Sequence, residues 1–141
     1  MRISTKGRYS LEALLYMAIL DGKALSVRAI AEAADVSEAY LEQLFIPLRK
    51  AGIVRSIRGS EGGFISGRAP DQITVGDVLR IMEGSFEITE CAKTNECPQS
   101  ADCMNREIWA ELYMAVNNCM DSITLSDLVK AYRVMEKMEY I

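Results

Sequence analysis

Leu25-Ser26-Val27-Arg28-Ala29-Ile30-Ala31-Glu32-Ala33-Ala34-Asp35-Val36-Ser37-Glu38-Ala39-Tyr40-Leu41-Glu42-Gln43-Leu44-Phe45 is the stretch whose reading decides the fold. Ser26 can cap a short helix that turns Val27, Ile30 and Ala33/Ala34 inward. A brief turn at Asp35-Val36 leads to Ser37, a second N-cap, and to a longer helix burying Leu41, Leu44, Phe45 and Leu48. Two short helices, a tight turn and small alanines at the crossing have the spacing of a helix-turn-helix. A generic helical hairpin has the same pattern, so this pair alone does not establish DNA binding. The second helix carries Ser37, Tyr40, Glu42, Gln43 and Arg49 on its polar side, residue types that reach bases and phosphates from a major groove. Pro47 has no N–H for the Gln43 carbonyl, which predicts a kink or early loosening.

Downstream, Gly52 stops the helix, and Ile53–Ile57 and Phe64–Ser66 read as two strands joined by Arg58-Gly-Ser-Glu-Gly-Gly63. A glycine-tipped β-hairpin directly after a recognition-type helix is a wing, and Arg58 at its tip suits a narrow minor groove. Upstream, Tyr9–Asp21 places Leu11, Leu14, Leu15, Ala18 and Ile19 on one helical face, with Gly22 as the stop. Arg2, Lys6 and Arg8 ahead of it form a basic cluster that suits phosphate contact or an ordinary solvated terminus equally well.

Beyond Ala69-Pro70, Thr74 and Asp77 form a capping-box-like start for a helix with Val75, Val78, Leu79 and Met82, ended by Gly84. Met104–Asp121 is the longest periodic segment, with Ile108, Trp109, Leu112, Ala115/Val116 and Cys119/Met120 along one stripe. With a core already supplied by the N-terminal part, this stripe is expected to pack against a second copy of itself. Cys119 on the stripe reads as a packed apolar thiol rather than a ligand. Thr124 and Asp127 open a final helix with Leu125, Leu128, Val129 and Tyr132 apolar. The expected architecture is mainly α with a small β-hairpin wing: a winged helix-turn-helix plus a long dimerisation helix. Residues 1–68 form the DNA-binding domain, 69–90 a connecting helix, 91–103 a cysteine loop, and 104–141 the dimerisation and C-terminal helices.

The 141 residues suffice for one core with a small appendage, and half of them are hydrophobic. The start lacks the apolar run of a signal peptide, and no apolar stretch approaches membrane-spanning length, so a cytoplasmic protein is expected. The net charge of −4 hides an asymmetry: residues 1–68 carry ten basic against seven acidic side chains, and residues 69–141 six against thirteen. The local field of the basic half is what a phosphate meets. There is no histidine, which removes the usual Ser–His and Cys–His nucleophiles and leaves an enzymatic reading without support.

Three of the four cysteines, Cys91, Cys97 and Cys103, repeat as C-x5-C-x5-C in a segment of Thr, Asn, Pro, Gln, Ser and Asp that has neither helical nor strand periodicity. A long loop needs a function or ligand to offset its ordering cost, and convergent thiolates suit zinc or an iron–sulfur cluster. Buried thiols would need apolar neighbours, and a disulfide would leave one of the three unpaired. The spacing shows three ligands and no fourth.

Taken together, these residues resemble bacterial winged-helix iron–sulfur regulators of the IscR type. The match covers residues 1–129 and rests on Arg2-Ile-Ser-Thr-Lys-Gly-Arg-Tyr9, Tyr40-Leu-Glu-Gln-Leu-Phe45, Leu48-Arg-Lys-x-Gly52, Ile57-Arg-Gly59, Gly62-Gly-Phe-Ile65, the cysteine loop and Ile123-Thr-Leu125. Members of that group include a nitric-oxide sensor and a cysteine-metabolism repressor that lacks the cysteines. The resemblance implies a homodimer with crossing long helices, placing two recognition helices and two wings on a pseudo-palindromic double-stranded DNA operator. By position, it implies that Cys91, Cys97 and Cys103 hold an iron–sulfur cluster, expected to be 2Fe–2S. Glu42 and Gln43 would read bases, and Arg58 would enter the minor groove. Arg2, Lys6, Ser37, Tyr40 and Arg49 complete the expected DNA contacts. Two departures stand out: Ala39 replaces a base-contacting serine, and Arg106, always protonated, replaces the histidine ligand.

The candidates for the fourth donor are therefore Asn105, Glu107, Asp102, Glu96, Glu90 and the partner subunit's Glu12; an oxygen donor is expected, with Glu107 or the partner subunit's Glu12 narrowly ahead and Cys119 as an outsider. The nitric-oxide sensor takes an aspartate from the partner's first helix, where this chain has Arg8, and Glu12 lies one turn further on the same face. The expected function is a regulator, mainly a repressor, that senses iron–sulfur status and controls cluster-assembly genes, with no membrane and no small-molecule substrate. The rivals are nitric-oxide or redox sensing on the same fold, or a DNA-binding protein with a structural zinc.

Overall fold

The computed structural model describes residues 2–87 and 104–139. Helix α1 spans Thr5–Ile19, α2 Val27–Ala33 and α3 Glu38–Lys50. Strands β1 (Val54–Ile57) and β2 (Gly63–Ser66) follow, then a 3-10 turn (Pro70–Gln72) and α4 (Val75–Glu83). Helices α5 (Arg106–Ser122) and α6 (Leu125–Glu139) complete the described chain. The architecture is the expected mainly α fold with one small hairpin, and no described helix is long and apolar enough to cross a membrane.

Local capping chemistry starts α2 and α3 where the sequence indicates. The Ala29 N–H donates to Ser26 Oγ at 3.1 Å, and the Tyr40 N–H donates to Ser37 Oγ at 3.1 Å. Leu41, Leu44, Phe45 and Leu48 are buried on α3 as the periodicity requires. On α2 the inward residues are Ile30 and Ala31, followed by Ala34, whereas Ala33 is exposed. Pro47 does not end α3, which continues to Lys50 with the Ala51 N–H donating to the Pro47 carbonyl. The carbonyl that loses a partner belongs to exposed Gln43, where water can serve it.

Helix α1 begins at Thr5, four residues before the expected Tyr9, and buries Gly7, Ser10, Ala13, Leu14, Met17 and Ala18. Leu11, Leu15 and Ile19 lie at the margin of this stripe, partly buried. No side chain of its own N-terminus caps the helix. The acceptor comes instead from the last residue of α4: Glu83 Oε1 accepts from the Ser4 N–H at 2.9 Å, the Gly7 N–H at 3.2 Å and the Ser4 hydroxyl.

The hairpin is antiparallel, pairing Val54 with Ser66 through Ile57 with Gly63. Leu25 joins it as a third strand position, exchanging hydrogen bonds of 2.9 and 2.8 Å with Phe64. A Cβ at position 63 would come within 1.9 Å of the Leu25 carbonyl oxygen, so only glycine admits this approach. Phe64 then reaches the core, meeting Phe45 edge-to-face at 4.8 Å between centroids. The wing is thereby pinned to α3 at its base.

The core crosses the expected boundary at residue 68. Ile73, Val78, Leu125 and Val129 belong to the same buried cluster as Leu14, Ile30, Leu44 and Ile53. Thr74 and Thr124 face each other in an antiparallel bridge, with the Val75 N–H donating to the Ile123 carbonyl at 2.8 Å and the Leu125 N–H to the Ile73 carbonyl at 2.9 Å. Each threonine also opens a reciprocal capping box, with Asp77 on α4 and with Asp127 on α6. The Thr124 backbone N–H and hydroxyl hold the Asp127 carboxyl below the usual carboxylate range.

The apolar stripe of α5 divides in two. Met120 is buried and Val116 half-buried against Leu79 and Phe86 of the same protomer. Ile108 and Leu112 remain 51% and 42% exposed. Cys119, expected to be packed, is exposed because it sits about 100° around the helix from Met120. In α6 the buried residues are Leu125 and Val129, while Tyr132, Val134, Met135 and Met138 are exposed.

Candidate nucleic-acid interface

The buried face of α3 leaves Glu38, Ala39, Glu42, Gln43, Ile46, Arg49 and Lys50 exposed. Glu42, Gln43, Ile46 and Arg49 line one side of an open groove of about 580 Å3, and Ser56, Ile57, Arg58 and Gly59 of the wing line the other. The structure thus brings together four of the sequence-predicted residues, Glu42, Gln43, Arg49 and Arg58, on one surface. Arg49 Nη1 donates to Ser56 Oγ at 3.2 Å, tying the last turn of α3 to β1. This bond adds to the Phe45–Phe64 contact in joining helix and wing.

Ser37 and Tyr40 are placed differently. The Ser37 oxygen accepts the Tyr40 N–H, which leaves the hydroxyl proton for an outside acceptor. The Tyr40 ring is half-buried, standing perpendicular to Tyr9 of α1 at 6.2 Å between centroids. That contact puts an early turn of α1 against the first turn of α3. Arg2, Lys6 and Arg8, all exposed, are carried on and just before α1. Arg2 and Arg8 line a shallow hollow at the helix start with Ile3, Ser4 and Thr5. The N-terminus of α1, the exposed face of α3 and the wing are therefore joined by direct side-chain contacts.

Ile46 was not among the expected site residues. Its signal was present: it falls between the buried positions Leu44, Phe45 and Leu48, off the inward stripe. An apolar side chain on a base-reading face can meet a thymine methyl.

Cys91, Cys97, Cys103, Glu90, Glu96 and Asp102 lie outside the described residues. The three thiols are soft donors suited to a cluster, and with no histidine in the chain a fourth ligand has to be oxygen or a further thiol. Among the described residues no three His, Cys, Asp or Glu side chains converge. Glu107 is exposed in the first turn of α5, Asn105 is exposed just before it, and Glu12 is exposed on α1.

The chain entering the 91–103 segment is tied to α5 at Phe86. Asn117 Nδ2 donates to the carbonyls of Phe86 at 3.4 Å and Tyr113 at 2.8 Å. Its Oδ1 accepts from Arg80 Nη2 at 2.7 Å and Nε at 3.3 Å. Arg80 also grips Asp121 with bonds of 2.7 and 3.0 Å. The Arg80 hydrogen bond holds the Asp121 carboxyl below the usual carboxylate range, and the same bond raises Arg80. Gly76 makes room for the pair, since a Cβ there would lie 2.1 Å from Asp121 Oδ1.

Residues 3–131 match the model of the Rrf2 family, described as iron-dependent transcriptional regulators. The chain is 43% identical to the transcriptional regulator CymR of Bacillus subtilis over 91% of this chain and 89% of that protein. The solved structure of B. subtilis CymR, titled the global cysteine regulator, superposes with a TM-score of 0.75, covering 93% of this chain and 98% of the other. The regulator IscR of Sodalis glossinidius is 35% identical over 99% of this chain and 85% of its own length. The structure of T. potens IscR gives a TM-score of 0.72 at 36% identity, covering 94% of this chain and 88% of the other.

Proposed function

The chain belongs to the Rrf2 family of transcriptional regulators, and from that membership we propose that it is a homodimeric, mainly repressing regulator of double-stranded DNA operators whose affinity follows the state of an iron–sulfur cluster. The observation that carries DNA binding is the groove in which Glu42, Gln43 and Ile46 of α3 face Arg58 of the wing. Glu42 accepts from cytosine N4, Gln43 pairs with adenine, and Arg58 lies in the minor groove. Arg2, Lys6 and Arg49 contact phosphates, and Ser37 and Tyr40 contribute from the first turn of α3. The partner subunit docks on the exposed Ile108 and Leu112 face of α5, doubling the half-site.

Cys91, Cys97 and Cys103 hold the cluster, of the 2Fe–2S type, and an oxygen donor completes it: Glu107 or the partner subunit's Glu12, with Cys119 as the outsider. A bound cluster supplies a centre sensitive to iron and sulfide supply and to oxidants. A carboxylate among soft thiolates is the exchangeable ligand such a sensor needs. The regulated genes on this reading are those of cluster assembly.

A second reading is favoured by the 43% identity to CymR, against 35% to an IscR. On it, the DNA-binding face is the same and the signal comes from sulfur metabolism without a cluster. Anaerobic purification with iron, zinc and acid-labile sulfide analysis separates the possibilities. Iron and sulfide with visible colour, abolished in each of Cys91→Ala, Cys97→Ala and Cys103→Ala and retained in Cys119→Ala, supports the cluster. Zinc without colour points to a structural site. Neither metal, with DNA binding untouched in the triple alanine variant, favours the CymR-like reading.

A further inference from the structure

We infer that Glu83 is a positioning residue for DNA binding, acting as a long-range N-cap within the chain that sets the basic start of α1 against the recognition helix. The inference rests on the DNA-binding reading above and adds to it a residue with no place in the groove. One carboxylate oxygen at the C-terminus of α4 accepts three donors from residues 4 and 7, bridging 76 to 79 residues of sequence. A carboxylate at a helix N-terminus satisfies orphan N–H groups and opposes the positive end of the helix dipole. Helix α1 has no cap of its own, so these bonds are its capping interaction. Gly7 completes the fit, because a Cβ there would lie 2.6 Å from Glu83 Oε1, 3.1 Å from Leu79 and 3.2 Å from Ile3.

What the latch orients is the basic cluster. Arg2 lies two residues before the first latched residue, Ser4, and shares a small hollow with Glu83, Ser85, Phe86 and Glu87. Lys6 and Arg8 flank Gly7 on the first turns of α1. Tyr9, two residues past the latch, carries this terminus against Tyr40 of α3. A frayed α1 start would leave Arg2 and Lys6 to find phosphates at an entropic cost. Capped, they are held on a helix start that the Tyr9–Tyr40 contact fixes against α3. Glu83 is also the last residue of α4 before the chain runs toward the cysteines, so the hydrogen-bonded latch joins the start of that connection to the start of α1.

The test uses the full-length protein and a palindromic duplex that the wild type selects from a random-sequence pool. Glu83→Ala is expected to weaken binding to this duplex roughly tenfold and to reduce the slope of log affinity against log salt by about one to two units. Amide exchange at Ser4 and Gly7 should lose its protection. Glu83→Gln, which keeps an acceptor, should recover part of the affinity. Gly7→Ala attacks the latch from the other side: helix propensity alone makes it stabilising by about 1 kcal/mol, whereas the latch requires it to mimic Glu83→Ala. In an Arg2→Ala/Lys6→Ala background, Glu83→Ala should have no further effect on DNA binding, which a merely structural role would not give. Unchanged affinity and salt slope in both Glu83→Ala and Gly7→Ala, or fully additive losses in the combined variant, overturn the inference while leaving the DNA-binding reading intact. Failure of the wild type to select any duplex takes both down.

Discussion

Replacing Arg80 by methionine removes the guanidinium that joins α4 to α5 and keeps most of its apolar stem. Four hydrogen bonds disappear, two to Asp121 and two to Asn117. Charge-assisted bonds of this kind are worth about 1.5–3 kcal/mol each when dry. Arg80 and Asp121 are 32% and 48% exposed, so solvent screening brings their pair down to about 0.5–1 kcal/mol. The part-buried Asn117 bonds add about 1 kcal/mol, giving a loss of roughly 1.5–2 kcal/mol and a Tm lower by about 4–8 °C. The pH dependence has a definite sign. Asp121 is depressed in the folded protein by the Arg80 bond, so the pair's contribution is present above the ordinary carboxylate pKa and is lost as pH falls through the lower folded value. Urea denaturation of wild type and Arg80→Met at neutral pH and at about pH 3 measures both effects. A difference below about 0.5 kcal/mol at neutral pH, or one that does not shrink in acid, refutes the clamp as an energetic element.

Three further outcomes are expected. Arg58→Ala should lower the salt slope of operator binding by about one unit, whereas Glu42→Ala should change which base is preferred, as a selection experiment would show; equal weakening at every site by Glu42→Ala removes it as a base reader. Leu112→Asp places a charge on the exposed apolar face of α5 and should give monomers that bind a palindrome poorly, while wild-type monomers at micromolar concentration in sedimentation would refute the interface. Ser10→Ala removes a fully buried hydroxyl that has no hydrogen-bond partner among the described residues and should be neutral or stabilising by up to about 1 kcal/mol in denaturation; a loss above that size means the hydroxyl has a partner in solution.

What was legible in the sequence was what neighbouring residues decide. Ser26, Ser37 and Thr74 cap the helices they precede, and the 41/44/45/48 spacing of α3 both buries one face and exposes the residues that line the groove. The hidden parts depend on distant partners. The early start of α1 could not be read at Lys6-Gly7-Arg8, because its acceptor is Glu83. Leu25 carries no local sign that it will pair with Phe64. Periodicity identified the apolar stripe of α5 but not its division, since Val116 and Met120 are claimed by Leu79 and Phe86, brought near by the fold. The three-cysteine spacing is a statement about donor chemistry, legible without coordinates.

The facing threonines at 74 and 124 give the chain a topological consequence. Residues 75–123 are closed at their base by two backbone hydrogen bonds across these threonines, and their first helix, α4, stays packed on the DNA-reading body through Val78 and Glu83. The entropy of closing such a loop grows only logarithmically with its length, about 0.6 kcal/mol per doubling. On closure entropy alone, a change in the number of residues between 88 and 103 therefore costs the body little. A single proteolytic cut in that interval should leave two fragments that travel together, because Ile73, Leu125 and Val129 keep both pieces in one shared core.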